Sequence, residues 1–184
     1  MKTITEYLST NVAKPMVKQK PIYATNETIH QIVKSELDRL GHDADLNHID
    51  VSEVTIMGDL FNLDEKIYGD LNPDISQWDV SKVEDMHSMF FICSNFNQDL
   101  SQWDVSNMKD MRYMFYKCRN FNQDLSRWNV GNVKYMQGMF YECKNFNQNL
   151  SKWNVSKVED IRIGNTFSMF DKCPIKENFK PKFN

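Results

Sequence analysis

An α/β solenoid is the fold this sequence predicts: a short parallel sheet backed by short helical or 3-10 turns, with a capping helix at its N-terminal end. Three observations predict it. Trp78, Trp103, Trp128 and Trp153 recur every 25 residues. Cys93, Cys118 and Cys143 keep that spacing, as do Met89, Met114 and Met139 with the Phe that follows each. Within each unit the apolar residues first alternate and then recur at every third or fourth position. Such self-similarity marks a chain in which each unit buries its apolar side only against its neighbours.

The chain divides into an N-terminal extension with an amphipathic capping helix (1–45), about five repeat coils (46–174) and a C-terminal cap or tail (175–184). Residues 1–24 show little periodicity. The stretch "NETIHQIVKSELDRLG" then puts Ile29, Ile32, Val33, Leu37 and Leu40 on one helical face. The expected helix spans 26–40, with Asn26 as its N-cap and Gly41 after its last turn. It is expected to cover the open end of the solenoid, the alternative being a partner-docking helix.

"DVSEVTIMGDLF" at 50–61 matches "DVSKVEDMHSMF" at 79–90, so the array begins by about Ile49. In "LSQWDVS", Trp103 and Val105 alternate with Gln102 and Asp104, which reads as a short strand with Trp and Val inward. Met108, Met111, Met114 and Phe115 follow at helical spacing and read as a helical or 3-10 turn behind it. Asn97, Asn122 and Asn147 recur beside inward Phe residues, and a buried hydrogen-bonded Asn ladder is the expected arrangement. Two units are bulged, by four residues between Phe61 and Trp78 and by five between Val155 and Phe170. The bulges at 62–77 and 160–168 read equally as caps or as binding loops. "CPIKENFKPKFN" is expected to close the far end through Ile175, Phe179 and Phe183.

Composition narrows the class. Hydrophobic residues make up 41% and charged residues 26%, which excludes a disordered chain. No apolar run reaches the roughly 18 residues that a span needs, so no membrane partner is expected. A net charge of −3 lacks the basic field of a general nucleic-acid binder, and no nucleic acid is expected. The first residues lack the apolar core of a secretory signal, and the expected location is cytoplasmic or virion-associated. The extracellular surface is the alternative if a signal has been removed.

The units "NFNQDLSQWDVSNMKDMRYMFYKC" and "NFNQDLSRWNVGNVKYMQGMFYEC" resemble the repeats of the BspA-like leucine-rich-repeat surface proteins, with their W-D-V-S core and M-F-x-x-C signature. The resemblance covers about 46–173 and implies a solenoid of leucine-rich-repeat type. It also implies inward Trp78, Trp103, Trp128 and Trp153, a back-side core from the M-F-x-x-C residues, and adhesion or host-protein binding.

Chemistry finds little support. The cysteines occupy one equivalent position, which suits a small buried thiol better than a disulfide, and their spacing is not that of zinc ligand pairs. His42, Asp43, Asp45, His48 and Asp50 gather in "GHDADLNHID" without a metal motif, and an Asx-rich capping turn is expected. Asp79 and Asp104 share a row that continues as Asn129 and Asn154, without a supporting His, Ser or Lys. No enzyme activity, metal or cofactor is expected.

The variable positions remain. Gln77, Gln102, Arg127 and Lys152 precede each Trp, and Asp79, Asp104, Asn129 and Asn154 follow it, so a face carrying both rows turns from acidic to basic along the array. Phe91, Tyr116 and Tyr141 form a second row that either closes gaps between coils or offers interface anchors, with Lys117, Arg119 and Lys144 nearby. These two sets are the candidate protein-binding residues. The expected function is a non-enzymatic protein–protein interaction module, its partner another protein or a second copy in a homo-oligomer. The alternatives are a self-associating structural or assembly component, phage- or virus-associated, and an adhesin-like protein.

Overall fold

The computed structural model describes residues 20–159 and 168–183. Its regular elements are few: β1 (Ile22–Tyr23), α1 (Ile29–Leu40), β2 (Ile49–Asp50), α2 (Glu65–Tyr68) and a 3-10 turn at Glu177–Phe179. The rest is a chain of turns that returns upon itself once per repeat, each coil resting on the last.

The N-terminal extension enters this stack directly. β1 pairs in parallel with β2, Ile22 opposite Ile49, and the backbone N–H of Ala24 donates to Asp50 O at 2.9 Å. Helix α1 then buries Ile29, Val33 and Leu37 in the common core. It starts three residues later than the periodicity implies, because Asn26 is engaged elsewhere. The Asn26 Oδ1 accepts the backbone N–H groups of Thr55 and Ile56 at 2.9 and 3.2 Å, tying the helix approach to the first coil. Gly41 ends the helix at φ 96°, its N–H donating to Leu37 O.

The expected strand over "LSQWDVS" is a corner made of two turns. Trp103 N–H donates to Leu100 O at 3.1 Å, and Met108 N–H to Val105 O at 3.0 Å. The alternation survives, with Trp103 and Val105 buried and Gln102 and Asp104 exposed. Polar side chains hold the corners, because Asp99 and Asp104 each accept the N–H two residues on, from Ser101 at 2.8 Å and Ser106 at 3.0 Å. These Asx contacts offer the backbone an alternative to a sheet ladder.

Apart from the β1–β2 pair and a bridge from Asp45 to Asp74 at the N-terminal end, the parallel contacts fall on the segment expected to be helical. Bridges link Ile56 to Asp85, Asp85 to Asp110, and Asp110 to Tyr135. Beyond each bridge, alternate N–H groups reach the next coil: Met111 to Tyr135 O, Tyr113 to Gln137 O, Phe115 to Met139 O and Lys117 to Tyr141 O, at 2.7–3.0 Å. Left-handed residues at two places per coil interrupt the helical run. Asp59, Ser88, Tyr113 and Gly138 occupy one such position; Ile92, Lys117, Glu142 and Lys172 occupy the other, all with φ between 54° and 63°. A left-handed residue stops a helix from propagating. Here it turns the next N–H along the stack instead of back into its own coil.

Aromatic side chains fill the interior as ladders. Phe61, Phe90, Phe115, Phe140 and Phe170 stack with centroids 5.3, 5.4, 5.5 and 5.6 Å apart. Phe96, Phe121 and Phe146 form a second ladder, 4.0–4.2 Å from its neighbours in the first. Each buried Trp satisfies its indole N–H on a carbonyl of the preceding coil; for Trp128 this is Leu100 O at 2.9 Å. The thiols of Cys118 and Cys143 likewise point at Phe90 O and Phe115 O, at 3.0 and 2.9 Å.

The Asn row is a ladder, though not a buried one. Each Oδ1 accepts the N–H of the equivalent residue one coil on, Asn97 from Asn122 at 2.9 Å and Asn122 from Asn147 at 3.0 Å. Asn97 and Asn122 are exposed, because the carbonyls and amides they satisfy lie on the outer turn. At the far end Ile175 is buried and Leu150 N–H donates to Phe179 O at 2.8 Å, but Phe183 is exposed and takes no part in closing the core.

The first bulge belongs to the N-terminal cap. Its helix α2 carries Tyr68, whose hydroxyl donates to Asp38 of α1 and receives the Lys34 ammonium at 3.1 Å. The second bulge falls at 160–168, where 160–167 lie outside the described residues.

Candidate protein-interaction face

The corner residues build the face upward from the backbone. In each coil the buried Trp and Val fix the direction of the chain, so the residue before the Trp and the residue after it point outward. Gln77, Gln102, Arg127 and Lys152, and Asp79, Asp104, Asn129 and Asn154, are all exposed. The row after the Trp has a structural duty common to Asp and Asn. Asp79, Asp104, Asn129 and Asn154 each accept, through Oδ1, the N–H two residues on, at 3.0–3.2 Å. Hydrogen bonds from the Ser81 hydroxyl and backbone N–H hold the Asp79 carboxyl below the usual range, so it stays charged on the surface. The exchange of Asp for Asn therefore preserves the turn and changes the charge.

That separation is testable. Asp104→Asn is expected to leave stability within about 0.5 kcal/mol, whereas Asp104→Ala removes the acceptor and costs about 1 kcal/mol. Urea denaturation of the two variants checks both.

The structure also aligns rows that sequence comparison treated one at a time. The equivalent strips 45–55, 74–84, 99–109, 124–134 and 149–159 carry formal charges of −3, −2, −1, +1 and +1. The acidic end holds Asp45, Asp50 and Glu53; the basic end holds Lys152 and Lys157 against Glu159. Several cations are already neutralised between coils, Lys82 by Glu53 and Lys109 by Glu84, both at 2.5 Å. Arg127 and Lys152 differ: neither makes a close ion pair with another described residue, and Arg127 acts only at longer range on Asp124, whose carboxyl is held below its usual range chiefly by its hydrogen bonds with Ser126. The two cations line an open cleft of about 390 Å³ together with Asp124, Ser126, Gln148 and Asn149.

The second candidate row is largely sealed. Phe91, Tyr116 and Tyr141 stack face to face at 4.7 and 4.6 Å, with interplanar angles of 7°. Tyr116 and Tyr141 are only 9% and 5% exposed. Lys117 lies over Tyr116 at 5.4 Å and Lys172 over Tyr141 at 5.0 Å, while Lys172 also pairs with Glu142 at 2.9 Å. This row closes the gap between coils, and its rings offer little to an incoming surface.

The four histidines, outside these rows, have close partners. His48 meets Glu36 of α1 at 2.9 Å, His42 meets Asp70 at 2.5 Å and His30 meets Gly58 O at 2.9 Å. His87 lies between Asp85 at 2.7 Å and Asp59 at 3.1 Å. Among the described residues no group of three or more His, Cys, Asp or Glu is disposed to hold a metal ion. Burial pushes the Cys93 thiol up to about 12 and those of Cys118 and Cys143 well above their ordinary value, which suppresses the nucleophilic thiolate.

The His87 site supports two predictions. A Cβ at Gly58 would fall 2.3 Å from the His87 ring, which its two carboxylates hold in place. Gly58→Ala is expected to cost about 1–3 kcal/mol in the native background and much less beside His87→Ala. A double-mutant cycle measures the difference.

Burial opposes charging of His87, but the Asp85 hydrogen bond and the charges of Asp85, Asp59 and Asp110 outweigh it and raise its pKa. The raised folded pKa makes the stabilisation full below the unfolded value, and it is lost as pH rises through the folded one. The stability advantage of the native protein over His87→Gln should therefore shrink from pH 6 to pH 8.5 in parallel melts.

Stacked aromatic ladders, one-coil hydrogen bonds and polar corners of constant design define a tandem-repeat protein. The family described as "Mycoplasma protein of unknown function, DUF285" matches residues 63–178, and the chain belongs to that family. No curated protein and no solved structure matches the chain.

Proposed function

We propose that this chain is a non-enzymatic protein–protein interaction module of the BspA-like kind, an α/β solenoid of leucine-rich-repeat type. Its working surface is the charge-graded corner face that carries Gln77, Gln102, Arg127 and Lys152. The observation that supports this reading is the division of labour in the repeat. Core, ladder and turn positions are held nearly constant by packing and hydrogen bonding, while the exposed rows change sign in order along the stack. Such a gradient orients a charged partner and accelerates its encounter.

A photo-crosslinking residue placed at Gln102, compared with one at exposed Lys144 outside the corner rows, tests the proposal in an extract of the source cell. A defined foreign polypeptide captured from position 102 and not from 144 is the expected result. Crosslinks only to a second copy, with a stable oligomer in native mass measurement, would favour the assembly-component reading instead.

A further inference from the structure

The two ends of the stack are finished differently. At the N-terminal end α1 buries Ile29, Val33 and Leu37 on the first coil and turns Gln31, Lys34, Ser35 and Asp38 outward. Among the described residues the C-terminal end has no such helix. Val133, Phe140 and Cys143 are fully buried, whereas their equivalents Val158, Phe170 and Cys173 are only half-buried. The tail engages other rows, Lys176 N–H reaching Asn147 Oδ1 at 3.1 Å and Leu150 N–H reaching Phe179 O at 2.8 Å.

The backbone repeats the contrast. In the inner coils the N–H of the ladder Phe, and that of the left-handed residue two positions on, both donate to the next coil. Phe115 and Lys117 reach Met139 O and Tyr141 O at 3.0 and 2.7 Å; Phe140 and Glu142 reach Met169 O and Asp171 O at 2.8 and 3.0 Å. The two accepting carbonyls flank the next ring of the ladder, Phe140 and then Phe170. Phe170 and Lys172 stand at the same two positions, Lys172 with φ 57° beside Lys117 at 58° and Glu142 at 55°. Their N–H groups have no acceptor among the described residues.

Unpaired donors at the end of a ladder are a template for another chain, and their pattern limits what fits. An α-helix spends its carbonyls on its own N–H groups, so its length offers none to this edge. Two copies meeting here would oppose donor to donor, and the other end of a copy is covered by α1. A non-helical segment with an aromatic residue between two outward carbonyls meets both donors and adds a ring to the ladder, as in strand addition at a sheet edge. Residues 144–159 and 168–183 carry seven Lys against three carboxylates, which favours acidic residues beside that aromatic.

We propose that the Phe170 edge is a second docking surface, separate from the corner face, for a non-helical segment of a partner protein with one aromatic residue and acidic flanks. The carbonyls on either side of the aromatic accept the Phe170 and Lys172 N–H groups, and the ring stacks on Phe170.

The probe is a capped peptide with the sequence of residues 138–142, the turn that supplies Met139 O and Tyr141 O, between two Asp-Glu pairs. Amide hydrogen exchange of the full chain, resolved by NMR, reads the edge. In the free chain the Phe170 and Lys172 amides are expected to exchange at least about tenfold faster than those of Phe140 and Glu142. The peptide is expected to slow both about tenfold and to leave Gln102 and Asp104 unchanged. Replacing its Phe by Gly, or its acidic flanks by Lys, is expected to weaken binding about tenfold, as is Phe170→Ala in the chain. Should that variant unfold, the peptide variants on the native chain decide. Equal binding of the Gly peptide, failure to slow the two amides, or their protection in the free chain, with or without a dimer in native mass measurement, would each overturn the proposal. Crosslinks at Gln102 and these amides report separate surfaces, so either reading can fail without the other.

Discussion

Trp128→Ala is expected to lower stability by about 3–5 kcal/mol, a large part of the roughly 5–15 kcal/mol that holds a typical domain folded. Two terms contribute. The indole is 4% exposed and stacks on Trp153 with centroids 6.4 Å apart, so its removal leaves a void between two coils. Its N–H also bonds Leu100 O across the coil boundary. Trp128→Phe separates the terms, because it keeps most of the ring and loses the donor. Leu100 O still receives Trp103 N–H, so the carbonyl is not orphaned and the expected cost falls to about 1 kcal/mol. Guanidinium melts of both variants check the pair, and a Trp128→Ala melt coincident with the native one would remove Trp128 from the core.

Phe115→Ala is the second change with a large expected effect, also about 3–5 kcal/mol. Its ring is fully buried at the centre of the five-membered ladder, 5.4 Å from Phe90, 5.5 Å from Phe140 and 4.2 Å from Phe121. Each unit of such an array is stabilised by its neighbours, so a gap at the centre weakens two coil interfaces at once. Phe170 at the ladder's end has one ladder neighbour and is only half-buried, and Phe170→Ala is expected to cost less. Thermal unfolding of the two variants side by side tests this order.

The inward set was legible from residue pattern because burial of Trp, Phe and Met follows from their own transfer free energy. Trp103, Val105, Met108, Met111 and Phe115 are accordingly all buried. The element types were less legible. Three-to-four spacing at Met108, Met111 and Met114 serves a helix and a run of tight turns equally, and left-handed Tyr113 and Lys117 decide for turns. Tyr and Lys carry no sequence mark of that conformation, as Gly138 does at the matching place. Asn26 misled for a similar reason: it has the chemistry of a helix cap, and the N–H groups of Thr55 and Ile56 lie closer to hand.

The candidate rows show the same division. That the residues beside each Trp vary, and in which direction their charge changes, is written in the chain itself. Which of those charges are spent was not. Lys82 and Lys109 are neutralised from the preceding coil, while Arg127 and Lys152 share a cleft with Asp124 and make no close ion pair among the described residues. The Tyr116 and Tyr141 rings, equal candidates in the sequence, are covered by each other and by Lys117 and Lys172.

By itself the sequence determined the 25-residue period, the inward face of each unit and the helix at the N-terminal end. Each of these follows from a side chain's own hydrophobicity and its near neighbours along the chain. Only the tertiary structure decided where the backbone bonds between coils fall, which polar groups they consume and which cations remain free. Those outcomes depend on what lies one coil above and below, a neighbour about 25 residues distant in the chain and about 5 Å away in space.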